Sequence, residues 1–165
     1  MIILAIDPGY DRMGIAVLEK ENSEKEELLF SECFSPTKNI VKEKRILEIG
    51  QKIDELIKNY HPSELVIEDI FFGKNLKTAV AVAEVRGVII YEASKAGLCI
   101  NQFTPSQIKT AITGNGKSDK TQVEFMVSKL INMKGKKPKF DDESDAIAVG
   151  LTFFAYGGNR LKEKA

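Results

Sequence analysis

Hydrophobic and polar positions change their rhythm along the chain, and each change marks an element. "MIILAID", residues 1–7, is a continuous apolar run closed by a carboxylate, which predicts a strand buried on both faces. "GIAVLEK" and "ELLFSECF" predict two further strands, joined by the polar, acidic link "EKENSEKEE", so residues 1–34 read as a three-strand antiparallel meander. From Val41 to Tyr60 the spacing lengthens: Ile46, Ile49, Ile53, Leu56, Ile57 and Tyr60 recur at steps of three and four, the pattern of an amphipathic helix, which His61-Pro62 ends. "ELVIED" (64–69) predicts a short buried strand. An Ala/Val-rich helix follows from about Leu76 to Lys95, stopped by Gly97. "LCINQF" predicts a fifth strand, Pro105 opens a short helix, "TGNGKSDK" is a loop, and "TQVEFMVSKLI" is a further helix. After the basic linker "KGKKPKF", a last helix is expected from about Asp142 to Tyr156.

The order is three strands, helix, strand, helix, strand, then helices. It predicts an α/β fold: a five-stranded mixed sheet, an antiparallel meander plus parallel strands, flanked by helical crossovers. No internal repeat or low-complexity segment divides the chain. Residues 1–157 are expected to form one domain and 158–165 a frayed tail.

Composition narrows the class. An apolar share of 43% over 165 residues supports one real core. Lysine plus arginine equals aspartate plus glutamate, so net charge is zero and only the placement of charge bears on partners. Cys33 and Cys99 form no CxxC pair and sit in apolar runs, which predicts buried structural thiols rather than a zinc site. No stretch approaches the ~20 apolar residues of a membrane span, and the N-terminus reads straight into a strand. A cytoplasmic protein without a membrane partner is the expectation.

Acids gather where strands end. Asp7 closes the first strand before Pro8-Gly9, and Glu68 closes the fourth. Ligands bind at the carboxyl edge of parallel strands, so the two can share one cleft. The last helix opens with "DDESDAIAVG". Asp142 and Asp145 share a helix face, and the apolar residues after Asp145 set its turn against the core. Asp141 and Glu143 fit ordinary acids at a helix start, which the dipole favours. Two to four carboxylates in one cleft repel unless something positive lies among them. An all-oxygen set suits magnesium or manganese, and a pair of ions ~4 Å apart suits phosphoryl transfer. His61, before a proline, reads as a surface residue.

The charges are segregated. From Phe103 to Lys139 eight lysines face only Asp119 and Glu124, a net of +6, whereas Glu19 to Glu32 carries −4. The lysine-rich stretch leads into the acidic helix and can flank the carboxylates, as a polyanion would require. "TGNGKSDK", with Lys117 and Lys120, has the wrong glycine spacing for a Walker loop and reads as a flexible backbone-contacting loop. "EDIFFGKN" sets Phe71, Phe72 and Lys74 just beyond Glu68, where one aromatic can stack on an unpaired base. Spacing does not choose between Phe71 and Phe72.

Five stretches, "IDPGYDRMGIAV", "LVIEDIFFGKN", "VRGVI", "TPSQIKTAITGNGKSDKTQV" and "DESDAIAV", occur in an order and spacing that resemble the RuvC family of Holliday-junction resolvases, in the ribonuclease H-like superfamily. The likeness runs from Ile3 to about Tyr156. It implies a ribonuclease H-like fold and a magnesium-dependent endodeoxyribonuclease that resolves four-way DNA junctions by paired nicks in recombination and repair. Each nick leaves a 5′-phosphate and a 3′-hydroxyl. It implies Asp7, Glu68, Asp142 and Asp145 as ligands of two Mg2+ ions per subunit, with Mn2+ as a substitute, and Asp7 as the bridge between them. Asp141 is the local competitor of Asp142. Lys109 and Lys120 are implied as DNA contacts, either of them holding the scissile phosphate, and Phe71 as the stacking aromatic. The helix from Leu76 to Lys95 is implied as the homodimer contact, and a branch-migration helicase as a possible further partner. Competing expectations are a YqgF-type nuclease acting on structured RNA, an actin-like or sugar-kinase ATPase, for which the chain is about half the needed length, and a junction-binding module without activity.

Overall fold

The computed structural model describes residues 1–21, 25–70, 76–135 and 138–158. Five strands form one sheet: β1 (Ile2–Asp7), β2 (Met13–Glu19), β3 (Glu27–Phe34), β4 (Glu64–Glu68) and β5 (Cys99–Phe103). Their order across the sheet is β3-β2-β1-β4-β5. β1–β2 and β2–β3 are antiparallel, and β1–β4 and β4–β5 are parallel, so the meander and the crossovers both stand as expected. β1 is central, with a helix-bearing connection leading to the strand beside it.

Among the described residues, five helices cover both faces: α1 (Lys42–Tyr60), α2 (Leu76–Lys95), α3 (Pro105–Thr113), α4 (Lys120–Leu130) and α5 (Asp141–Ala155). α1 and α2 bury Ile49, Ile53, Leu56, Val85 and Ile89 against Leu4, Ile6, Ile15 and Ile67. α3, α4 and α5 bury Ile108, Val123, Val127 and Ile147 against Ile3, Ala5, Ala16 and Val66. Two-sided burial explains why the central strands read as unbroken apolar runs rather than alternating ones.

Local signals set the helix ends. His61 stops α1 in the left-handed conformation, its N–H bonded to the Ile57 carbonyl, and its side chain is exposed. Thr104 with Gln107 and Asp119 with Gln122 make capping boxes that start α3 and α4. α5 begins one residue earlier than expected, at Asp141, and ends at Ala155.

Two expectations need correction. Cys33 and Cys99 are free thiols of intermediate exposure, not buried ones, because β3 and β5 are the two edges of the sheet. The lysine-rich stretch flanks the carboxylates only in part: Lys109 and Lys120 reach the acid edge, while other parts lie elsewhere. Asn132 bridges to Glu27 at the edge of β3, and Lys134 pairs with Glu27 at 2.5 Å, so part of the basic segment meets the acidic one. Most of the expected tail, residues 159–165, lies outside the described residues. Among the described residues, no helix is long and apolar enough to cross a membrane.

Candidate active site

Alternation along the strands decides which carboxylates meet. In β1, Leu4 and Ile6 face α1 and α2, while Ile3 and Ala5 face α5. The next odd position is Asp7, which therefore points to the α5 side. In β4, Leu65 and Ile67 belong to the first face and Val66 to the second, so Glu68 joins Asp7. The parallel register pairs Ile6 with Ile67, and one residue further on each strand stand the two acids.

α5 brings its own acids to the same edge. Gly14, paired with Asp7 across the β1–β2 ladder, permits this approach: a Cβ there would lie 1.9 Å from the Asp142 carbonyl oxygen. Gly150 does the same along α5, where a Cβ would press on Leu18 and Ala5 at about 3 Å. Only hydrogen at these two positions lets the helix lie this close to the sheet.

Asp7, Glu68, Lys109, Lys120 and Asp145 line one cavity of about 320 Å³, walled by Pro105, Ile108, Val123 and Ala148. Asp7 and Glu68 are hydrogen-bonded to one another. The Asp7 carboxyl is pushed from its ordinary range up to about 8 by burial first, then by Glu68, Asp145 and Asp142. The Glu68 carboxyl is also raised, chiefly by burial and Asp145, against the opposing pull of its bond to Asp7 and of Lys109. One proton held between two carboxylates is the arrangement that repulsion at close range dictates.

The acids of α5 are treated differently. Lys120 Nζ lies 3.2 Å from both Asp145 Oδ2 and Asp141 Oδ2. Burial opposes the ammonium charge there, but Asp145 and then Asp141 outweigh it and the Lys120 pKa rises. Burial still raises Asp145, although Lys120 pulls it down. Asp142 does not line the cavity. It sits at its rim, 3.3 Å from an Arg12 guanidinium nitrogen, and accepts a 3.5 Å bond from the Cys33 thiol. Burial and Asp142 together push that thiol up to about 11, so Cys33 is an uncharged donor. Lys117 is exposed on the α3–α4 loop and does not line the cavity. Phe71, Phe72 and Lys74 lie outside the described residues.

Among the described residues, no three acidic, histidine or cysteine side chains stand close enough in this arrangement to ligate one ion. The donor set is nonetheless all oxygen, the kind a hard divalent cation takes. Burial and mutual repulsion favour a proton on the Asp7–Glu68 pair, and Lys120 pairs with Asp145.

Sequence reading missed three contributors. Arg12, in the turn after Asp7, holds Asp142. Glu143, expected to be an ordinary helix-start acid, is buried and accepts from Ser31 Oγ at 2.7 Å and from the Lys139 N–H at 3.0 Å, fastening α5 to β3. Arg86, on α2, donates to the Glu68 carbonyl. A basic residue inside a quoted motif was the available signal for Arg12 and Arg86. Nothing in the sequence marks Glu143.

Residues 3–153 match the family model for the crossover junction endodeoxyribonuclease RuvC. The chain belongs to the RuvC family. A RuvC of Carboxydothermus hydrogenoformans is 38% identical over 161 residues, covering 98% of this chain and all of that one. A RuvC of Thermosipho melanesiensis is 42% identical over 149 residues, covering 90% and 94%. Among solved structures, Thermus thermophilus RuvC in complex with a Holliday junction substrate superposes with a TM-score of 0.86 at 27% identity, covering 94% of each chain. The yeast mitochondrial Holliday junction resolvase Ydc2 superposes with a TM-score of 0.71 at 11% identity, covering 93% of this chain and 79% of that one, which speaks for the ribonuclease H-like fold alone. These RuvC relatives thus match 90% or more of this chain.

Proposed function

We propose that this protein resolves four-way DNA junctions by metal-dependent hydrolysis of two phosphodiesters, acting as a two-fold homodimer. The observation that carries the reading is one cavity, in a chain of the RuvC family, where Asp7, Glu68 and Asp145 face Lys109 and Lys120. The Thermus thermophilus relative bound to a Holliday junction supports the choice of substrate.

Asp7, Glu68 and Asp145, with Asp142 at the rim, are the residues that would hold two magnesium ions, or manganese in their place. Such ions supply a water of lowered pKa and a Lewis acid for the phosphodiester. The chain's own residues do the rest. Asp7 and Glu68 must release the proton they share before both can act as ligands. Asp145 must part from Lys120, which leaves that ammonium free for a backbone phosphate. Lys109, on the same wall, offsets the charge that builds on the phosphate during in-line attack. A nick of this kind leaves a 5′-phosphate. On α2, Val80 and Tyr91 are more than half exposed, which supports pairing of this helix between two copies. A two-fold dimer matches the near two-fold symmetry of a junction and sets its two cavities on strands of like polarity. A branch-migration helicase is the further partner that this role calls for.

The test compares cutting of a four-way junction, a linear duplex and a structured RNA in Mg2+ and in EDTA. Symmetric nicks in the junction alone, lost in EDTA, are expected. Equal or faster cutting of the RNA would replace the resolvase reading with the YqgF-type one.

A further inference from the structure

"VRGVI" is part of the family likeness, yet none of its residues lines the acid cavity. It lies on α2, whose Val85 and Ile89 pack on the sheet face opposite α5. Arg86 reaches from that helix around the carboxyl end of β4. Its Nε donates to the Glu68 carbonyl at 3.2 Å. One terminal nitrogen pairs with Asp69 Oδ1 at 3.2 Å and also donates to Gln102 Oε1 on β5. The side chain is only 13% exposed.

The position matters because β4 loses a neighbour there. Its ladder to β1 ends at Ile67, so the backbone of Glu68 is paired in the sheet with β5 alone. Beyond it the Asp69 N–H donates to the Phe103 carbonyl, and Asp69 Oδ1 accepts from the Ile70 N–H at 2.8 Å. The guanidinium thus closes a three-point brace on the Glu68 carbonyl, the Asp69 carboxylate and β5. Rotation of the Glu68–Asp69 peptide, and with it the aim of the Glu68 side chain, is resisted by this brace. A planar fork serves three acceptors at once, whereas an ammonium on a flexible stem does not hold them in the same plane.

We infer that Arg86 is a positioning residue for Glu68, fixing from the opposite face of the sheet the carboxylate that faces the cavity. The inference rests on the reading of Glu68 as a metal ligand. Groups behind metal ligands commonly change metal affinity or activity by about 10- to 100-fold.

The test uses the full chain and the variants Arg86→Lys, Arg86→Ala and Gln102→Ala. Mn2+ binding without DNA, amide exchange in metal-free protein and melting temperature are measured on each. Both Arg86 variants are expected to bind Mn2+ about tenfold more weakly, with faster exchange at the Asp69 and Ile70 amides and unchanged junction binding in EDTA. Should Arg86→Ala fail to fold, Gln102→Ala, which removes one strut, is expected to show the same changes at smaller size. A lower melting temperature with wild-type Mn2+ affinity and wild-type exchange would reduce Arg86 to a fold-stabilising contact and overturn the inference. If the wild type itself binds no Mn2+, the metal reading fails instead, and the exchange at Asp69 and Ile70 still decides the brace.

Discussion

Asp7 and Glu68 stand at strand ends and are half-buried, whereas Asp141, Asp142 and Asp145 stand on the first turns of α5 beside long cationic side chains. The two groups relieve the same repulsion differently. The strand acids have no lysine or arginine in salt-bridge contact among the described residues, and burial with mutual repulsion raises both carboxyls. The helix acids are paired with Lys120 and Arg12. The difference follows from geometry. A side chain at the carboxyl edge of a central strand is flanked by backbone and core. A helix start at the rim is open to such stems from neighbouring loops. On the proposed reading, cation loading would mean two different exchanges in one cavity: a proton would leave the strands, and an ammonium would leave the helix.

Substituting the strand side breaks the comparison most. Asp7→Asn keeps the shape and can still hydrogen-bond Glu68, but it cannot act as an anionic ligand. Junction cleavage is expected to fall by roughly 10³-fold or more, as with other residues that act as a catalytic unit, while junction binding in EDTA persists. The same variant should melt higher than the wild type when metal-free, because a carboxyl held in an unfavourable site is gone. Normal cleavage by Asp7→Asn would remove Asp7 from the chemistry.

Next in size is a pH effect confined to the metal-free protein. Asp7 takes up a proton in the folded state well above its ordinary range, and Glu68 and Asp145 shift the same way. Groups raised on folding stabilise fully only below their unfolded pKa, and that contribution is lost as pH rises through the folded value. For Asp7 the window runs from about 4 to about 8. Metal-free melting temperature is expected to fall across it, by an amount on the order of a few kcal/mol in stability. Saturating Mg2+ should flatten the slope, and metal binding at pH 7 should release protons, measurable by calorimetry in buffers of different ionisation enthalpy. A flat metal-free profile would mean the pair shares no proton.

Most of the frame was legible because it rests on local rules. Continuous apolar runs and period-3.6 patterns placed ten elements, and Pro105 marked one helix start. The convergence of Asp7, Glu68 and Asp145 was legible too, because strand ends and helix faces can be counted. What could not be read was charge compensation. The need for something positive among the acids was clear, and a divalent ion was the natural candidate. A shared proton and the reach of Arg12 and Lys120 depend on loop geometry that no spacing rule carries. Lys134 shows the same limit, since net charge along a segment does not say which strand the segment lies against. The half-exposure of Cys33 needed the strand order, and hence which strands are edges.

The smallest expected effect sharpens the helix side and separates Asp141 from Asp142. Arg12 is more than half exposed, and its pair with Asp142 is of the kind that solvent weakens. If Asp142 is the ligand, Arg12 competes with the cation for it. Arg12→Ala should then tighten Mn2+ binding to the protein alone by roughly two- to fivefold, the range of an exposed ion pair, with little change in melting temperature. If Asp141 is the ligand instead, Arg12→Ala leaves Mn2+ affinity where it was, and Lys120→Ala moves it, because Lys120 is the cation that touches Asp141. Lys120 also touches Asp145, so Lys120→Ala alone is ambiguous, and Arg12→Ala is the variant that discriminates. Weaker Mn2+ binding in Arg12→Ala would reverse the competition argument and make Arg12 a residue that holds Asp142 in place for the ion.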